Sequence, residues 1–303
     1  MTLLAEAPMT DYEHQPVLLA EVLDSLITDP GGLYLDCTLG LGGHSESILR
    51  AISPSGKLLG LDMDPESLRL ASRRLDGHAN FSAVLSNFRD ARRVLEERKY
   101  FPLTGALYDL GVSSLHFDKA ERGFSFMRQG PLDMRLSPDS PLTADAIVNR
   151  WPEEQIALLI KEYGEDPNAR RIARAIVQRR EKQPFASTTD LASHIESVVR
   201  RTGGSHPATR TFMALRIAVN AELENLTRGL ESIVPYLGHG ARLCVITFHS
   251  IEDRMVKNLF ASFVSQGTCR FVEGGQGAIK PSAEEVERNA RARSAKLRVV
   301  EKQ

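Results

Sequence analysis

Apolar positions along the first hundred residues switch between two periods. Residues 17–27 place their apolar side chains on one helical face and stop at Gly31-Gly32, whereas residues 33–37 (Leu-Tyr-Leu-Asp-Cys) form a short, mainly apolar run that reads as a strand. The alternation continues with a helix over 44–52, a Pro54-Ser55-Gly56 turn, a strand over 57–62, and a helix to Leu75 with Asp64 as N-cap and Pro65 at the first helical position. A strand over 81–85, a helix over 88–98 and a strand over 105–110 follow. Strands alternating with helices of about ten residues predict βαβ units and a parallel sheet. After Leu110 the rhythm stops. A long polar loop (111–141) leads into helix-period stretches at 143–149, 152–163, 168–181 and 188–199, with no strand pattern. A long helix over 209–237, a strand over 242–248, a helix over 252–264 and a strand over 296–300 then restore it. The predicted fold is α/β, a doubly wound sheet domain of residues 1–113 and 209–303 interrupted by an all-helical insert of residues 114–208.

Composition adds limits. With 303 residues, 42% of them hydrophobic, and 38 basic against 39 acidic side chains, the chain has enough apolar content to bury a core and is not predominantly disordered. No apolar run approaches the ~20 residues that cross a bilayer, and the N-terminal stretch lacks the pattern of a signal peptide, so no membrane association and a cytoplasmic location are expected. Cys37, Cys244 and Cys269 are far apart with no CxxC spacing, which predicts buried free thiols and neither a disulfide framework nor a metal site. The net charge of −1 argues against a nucleic-acid partner only as an average. Residues 170–182 carry six basic side chains against Glu181, and residues 287–303 carry six against two acidic ones. Such segments are either solvated helix faces or surfaces for phosphates.

The first strand runs into Asp36-Cys37-Thr38-Leu39-Gly40-Leu41-Gly42-Gly43-His44-Ser45. Glycines between a strand and a helix let the backbone approach a ligand, and Asp62, nineteen residues beyond Gly43, ends the second strand where a carboxylate can accept hydrogen bonds from the hydroxyls of an adenosine ribose. Both a nicotinamide dinucleotide and S-adenosylmethionine suit this pattern. Asp36 favours the methyl donor: its carboxylate can meet an ammonium group but would repel a pyrophosphate, and the turn has no Lys or Arg. Asp36 can equally serve to order the turn.

Further blocks carry a family resemblance. Leu107-Tyr108-Asp109-Leu110-Gly111-Val112-Ser113-Ser114, Arg122-Gly123-Phe124-Ser125-Phe126 and Gly130-Pro131-Leu132-Asp133-Met134-Arg135 resemble the ribosomal RNA small subunit methyltransferase H family, also called the MraW family. So do His14-Gln15-Pro16-Val17-Leu18, Gly42-Gly43-His44-Ser45, His206-Pro207-Ala208-Thr209-Arg210, Phe248-His249-Ser250-Ile251-Glu252-Asp253-Arg254 and Arg291-Ala292-Arg293-Ser294, in order along residues 14–300. The resemblance implies a Rossmann-like class I methyltransferase sheet with an inserted helical substrate-recognition domain. It also implies S-adenosylmethionine as cofactor and N4 methylation of one cytidine in the decoding region of 16S ribosomal RNA, with the small ribosomal subunit as partner. A homodimer is compatible with the sequence. Carried onto this chain, the implied cofactor contacts are Gly42, Gly43, His44, Asp62, Phe88 and Asp109, with His116 where the family usually has glutamine. Smaller departures are Gln129, Met213, Ala290 and a short stretch between Phe271 and Lys280.

The chemistry has its own demands. A cytosine amino group is a poor nucleophile because its lone pair is delocalised, and a carboxylate or carbonyl accepting its N–H turns that lone pair outward. Asp109, at the end of the fourth strand, suits this role, cofactor contact or turn capping. His249 and its neighbours Glu252, Asp253 and Arg254 suit either contact with the target nucleotide, His249 then being catalytic, or a helix N-terminus. His14 and His206 divide the same way between substrate and structure. An unstacked base needs an aromatic platform, for which Phe124 and Phe126 are candidates unless they pack the insert. Two other classes compete with the methyltransferase: a nicotinamide-dependent oxidoreductase on the same sheet, and a non-catalytic RNA-binding assembly factor.

Overall fold

A computed structural model describes residues 16–200, 204, 206–272 and 277–303, so His14 lies outside the described residues. Helix α1 (Leu19–Leu26) precedes β1 (Leu33–Asp36), α2 (Gly43–Ala51), β2 (Lys57–Asp62), α3 (Pro65–Arg74), β3 (Phe81–Leu85), α4 (Ala91–Arg98) and β4 (Leu103–Asp109). The insert contributes α5 (Ser114–Asp118), α6 (Ala144–Arg150), α7 (Glu153–Gly164), α8 (Ala169–Arg180) and α9 (Thr188–Val198). Then come α10 (Thr209–Val219), α11 (Glu222–Ile233), β5 (Leu237–Thr247), α12 (Ser250–Ser265), β6 (Cys269–Phe271), α13 (Ala283–Arg288) and β7 (Lys296–Lys302).

The strands form one sheet in the order β3-β2-β1-β4-β5-β7-β6. Strands β1 to β5 pair in parallel, while β7 runs antiparallel to both β5 and β6. This is the Rossmann-like sheet of class I S-adenosylmethionine methyltransferases. Apolar side chains of α1, α2 and α3 cover one face, with Val22, Leu26, Ile48 and Ala71 buried in it. Those of α4, α11 and α12 cover the other, with Leu95, Leu230 and Phe260 at its centre. A parallel sheet buried on both faces sends its ligand chemistry to the carboxyl ends of its strands, near the point where strand order reverses between β1 and β4.

The insert has its own apolar cluster, built from α6 to α9 and including Ile147, Ile160, Ile172 and Leu191. Among the described residues it contains no strand. The cluster extends into α10 through Phe212, Leu215 and Val219, so this helix packs with the insert, past the sequence-based boundary at residue 208. The single helix predicted over 209–237 is two. Ala221 breaks it with φ +48°, and the buried Asn220 side chain fixes the break by accepting the Leu136 N–H at 2.8 Å and donating to the Met134 carbonyl at 2.8 Å. No Gly or Pro announces the turn. The sequence pattern also missed β6, whose three residues are too few to show a period. As predicted, the Asp64 side chain caps α3 by accepting the Glu66 N–H, and Pro65 opens the helix. All three cysteines are buried and free.

Candidate functional site

The carboxyl ends of β1, β2 and β4 open onto a cavity of about 330 Å³, within the range of small-molecule sites. Gly43, His44, Asp62, Phe88, Asp109 and His116 all line it. Gly42 does not. With φ +80°, it instead brings the turn against α3, where a Cβ would meet Leu75 at 3.2 Å and Ala71 at 3.4 Å. Asp36 does not line the cavity either. It is buried, accepts hydrogen bonds from Ser45 Oγ at 2.6 Å and the Thr38 N–H at 3.1 Å, and so orders the turn rather than facing a ligand.

Asp62 joins the two turns on either side of it. One carboxylate oxygen accepts the Gly40 N–H at 2.7 Å and the other the Asp64 N–H at 2.8 Å, so the glycine turn and the start of α3 are held by a single side chain. Burial raises its pKa to about 7, against the lowering effect of those two hydrogen bonds. Asp109 is tied to the same turn through its backbone, whose N–H donates to Thr38 Oγ1 at 2.6 Å. Its carboxylate Oδ2 lies 3.6 Å from His44 Nε2, and its buried Oδ1 has no hydrogen-bond partner among the described residues. Burial, then the charges of Asp36 and Glu252, push the Asp109 pKa up to about 8. A ligand bearing positive charge would relieve both carboxylates, and the pyrophosphate of a dinucleotide would be repelled by them.

His116 sits on the cavity wall, but its nitrogens face protein. Nδ1 accepts the Ser113 N–H at 3.1 Å, so the proton is on Nε2, which donates to Asp64 Oδ2 at 2.8 Å. Arg122 Nη1 and Ser67 Oγ reach the same carboxylate oxygen at 3.1 and 3.2 Å. Burial works to raise Asp64, and the His116 hydrogen bond and Arg122 charge outweigh it, holding the pKa at about 2. The Ser-x-x-His spacing is that of a capping box and was available in the sequence.

The constellation after β5 closes on itself. His249, expected as a catalytic residue, caps α12 and does not line the cavity: Nδ1 accepts the Glu252 N–H at 3.4 Å, and Nε2 lies 3.0 Å from Glu252 Oε1, close but without hydrogen-bond alignment. Glu252 Oε2 accepts the Phe248 N–H at 2.9 Å. Arg216, on the cavity wall, grips Glu222 at 2.8 and 2.9 Å and approaches Glu252 at 3.9 Å. Glu222, His249 and Glu252 offer ligand atoms within 4.8 Å of one another, and the Arg216 guanidinium supplies the positive charge between the two glutamates. Asp253 accepts from Lys296 and Arg298 at 2.6 and 2.7 Å, and Arg254 pairs with Glu165 of the insert at 2.8 Å. The energetic demand of buried charge is met inside the protein.

Phe124 and Phe126 pack the insert. Phe124 is buried beside the His116 ring at 5.1 Å, and Phe126 stacks between His206 and Phe212, each at 4.8 Å. His206 itself caps locally, its Nδ1 accepting the Ala208 N–H at 3.1 Å. The aromatic that does face the cavity with substantial exposure is Phe117, 39% exposed, which the sequence pattern did not single out. Of the basic run at 170–182, Arg179 binds Asp190 and stacks on Phe185, and Arg180 donates to the carbonyls of Val148 and Trp151. These two hold the insert together and are not a free phosphate surface.

The model of the MraW methylase family matches residues 11–303. Proteins named Ribosomal RNA small subunit methyltransferase H are 46% identical in Caldicellulosiruptor bescii, over 96% of this chain and 99% of that one, and 45% identical in Syntrophobacter fumaroxidans, over 98% of each. A solved rRNA methylase from Streptococcus thermophilus is similar with a TM-score of 0.45 and 12% identity, covering 94% of this chain and 93% of that one. A cavity built at the strand ends from the very turns that the family motifs occupy, and a family match spanning nearly the whole chain, lead to one conclusion: this chain belongs to the MraW methylase family.

Proposed function

We propose that this protein is an S-adenosylmethionine-dependent methyltransferase of small-subunit ribosomal RNA, and that it methylates the exocyclic N4 amino group of a cytidine in the decoding region of 16S ribosomal RNA. The family membership supports the first part, and the names borne by the relatives support the substrate. The observation that carries the chemistry is Asp109: a half-buried carboxylate on the cavity wall at the end of β4, one of whose oxygens has no hydrogen-bond partner among the described residues.

The bound cofactor supplies an electrophilic methyl group on a sulfonium. Asp62 lies where it can accept from ribose hydroxyls, Gly43 and His44 offer the N-terminus of α2, and Phe88, braced edge-on by Tyr108 at 5.4 Å, gives an apolar wall for a purine. Asp109 accepts an N–H of the target amino group, directs its lone pair and takes up the proton released on methylation. A cation beside Asp109 favours its ionised form, which prepares it to accept. His249 is a positioning residue that fixes the β5–α12 turn through Glu252. Calorimetry tests the cofactor: S-adenosylmethionine binds and NAD does not, and labelled donor transfers methyl to small subunits lacking the modification. Binding of NAD in its place, or tight RNA binding with no methyl incorporation, would overturn the proposal in favour of an oxidoreductase or a non-catalytic assembly factor.

A further inference from the structure

Three arginines line the cavity, and two already have acidic partners. Arg74 pairs with Glu46 at 2.6 Å, and Arg216 is held by Glu222. The third, Arg291, is exposed and has no side-chain ion pair or hydrogen bond among the described residues. Of the other basic residues of the C-terminal segment, Lys296 and Arg298 are engaged by Asp253, Arg288 donates to the Glu284 carbonyl at 3.4 Å, and Arg293, exposed on the same turn as Arg291, and Lys302, in β7, do not line the cavity.

Arg291 stands on a short 3-10 turn (Ala290–Ser294) that is anchored from below. Ala292 and Ala295 are buried, and Asn289 Oδ1 accepts the Arg291 N–H at 3.2 Å. The adjoining α13 is tied to the opposite chain end by Glu285, which accepts the Leu18 N–H at 2.7 Å next to the cavity residues Pro16 and Val17. A guanidinium on a fixed backbone loses less freedom when it binds an anion. The charge pattern says which anion position suits it. The cavity is also lined by the acidic Asp62 and Asp109, whereas Arg291 is exposed, so a phosphodiester is better placed at Arg291 than beside the two carboxyl groups.

We propose that Arg291 holds a backbone phosphate beside the target nucleotide at the rim of the cavity, so that the base enters while the charge stays outside. This rests on the RNA methyltransferase function proposed above. A second oxyanion, the carboxylate of the methyl donor, has the same chemistry, and the experiment separates the two sources.

The test compares wild type, Arg291→Ala and Arg291→Lys in initial-rate assays on unmodified small subunits at saturating donor over a range of salt, with donor affinity measured by calorimetry. Arg291→Ala is expected to raise KM for the subunit about tenfold, with kcat little changed, and to reduce the slope of log affinity against log salt by roughly one. Arg291→Lys keeps the charge and should stay within about threefold of wild type, with Tm unchanged in both variants. Donor affinity should remain within about twofold throughout. A wild-type KM and salt slope in Arg291→Ala would refute the assignment, and a tenfold loss of donor affinity at unchanged subunit KM would reassign Arg291 to the cofactor carboxylate. If the wild-type enzyme transfers no methyl to subunits, the functional proposal fails first and this one with it.

Discussion

His116 Nε2 stands 2.8 Å from Asp64 Oδ2, joining the turn after β2 to the turn after β4 across 52 residues of chain. The bond draws together the two segments that flank the cavity, and the ring's other nitrogen secures the Ser113 N–H. His116→Ala leaves Asp64 Oδ2 with Arg122 and Ser67 alone and should lower stability by about 2 kcal/mol, read as a fall in Tm of several degrees. His116→Gln restores one of the two bonds and should lose about half as much, with donor affinity within about threefold of wild type. A tenfold affinity loss at unchanged Tm would show that the ring touches the cofactor directly instead of positioning the walls.

Asp109 makes stability and pH run against each other. Its pKa of about 8 lies above the ordinary unfolded value, so the folded protein retains a proton that the unfolded chain has lost. The folded state therefore loses stability from this group as pH rises from roughly 4 toward 8. Asp109→Asn removes the dependence, and the variant should gain about 2 kcal/mol on wild type between pH 5.5 and 8.5, less than the full shift because the side chain is partly exposed. Methyl transfer should fall about 100-fold in the same variant. Thermal unfolding across pH, measured without cofactor, checks the first claim. Equal pH slopes in both proteins would contradict it.

Phe117 and Phe126 should behave oppositely. Phe117, exposed at the cavity, is placed to stack an unpaired base, so Phe117→Ala should cost about tenfold in kcat/KM on subunits at unchanged Tm, and Phe117→Tyr should recover most of it. Phe126 packs on Phe212, so Phe126→Ala should lower Tm. Loss of stability without loss of kcat/KM in the Phe117 variant would remove it from the RNA surface.

Glu252 is a structural hub under the site. Burial acts to raise its pKa, but His249, Arg216 and the Phe248 N–H outweigh this and hold it below the usual glutamate value. Its contribution is therefore present above the ordinary glutamate pKa and is lost as pH falls through the lowered one. Glu252→Ala leaves the Phe248 N–H without its acceptor and the His249 Nε2 without its carboxylate neighbour, Arg216 keeping only Glu222, and should destabilise by about 3 kcal/mol at pH 7, with the difference from wild type shrinking under acid. A difference that stays constant down to pH 3 would contradict this account.

Local signals made much of the sheet legible. Asp64-Pro65 marked the start of α3 and the glycine turn after β1 the ligand edge, whereas α1 ends at Leu26 with Ile27 as its cap, before the Gly31-Gly32 pair. What stayed hidden depends on distant contacts. The break at Ala221 is held by Asn220 reaching Met134 and Leu136, some 86 and 84 residues away. Asp36 and Asp62 look alike beside their turns in sequence, yet one points into the backbone of its own turn and the other lines the cavity. His249 reads as a nucleotide contact until its orientation toward Glu252 is seen. Charge counts fail for the same reason, since Arg179 and Arg180 meet partners within the insert that no local window contains.

Asp109 stands at the centre of the proposed methylation of a cytidine amino group. The most direct measurement digests ribosomal RNA from unmodified small subunits after incubation with the enzyme and isotopically labelled S-adenosylmethionine, and identifies the labelled nucleoside by mass spectrometry. The account predicts N4-methylcytidine, at one position in the decoding region, formed by the wild type and reduced about 100-fold in Asp109→Asn. Label on another base or ring atom, or equal N4-methylcytidine from both enzymes, would contradict it.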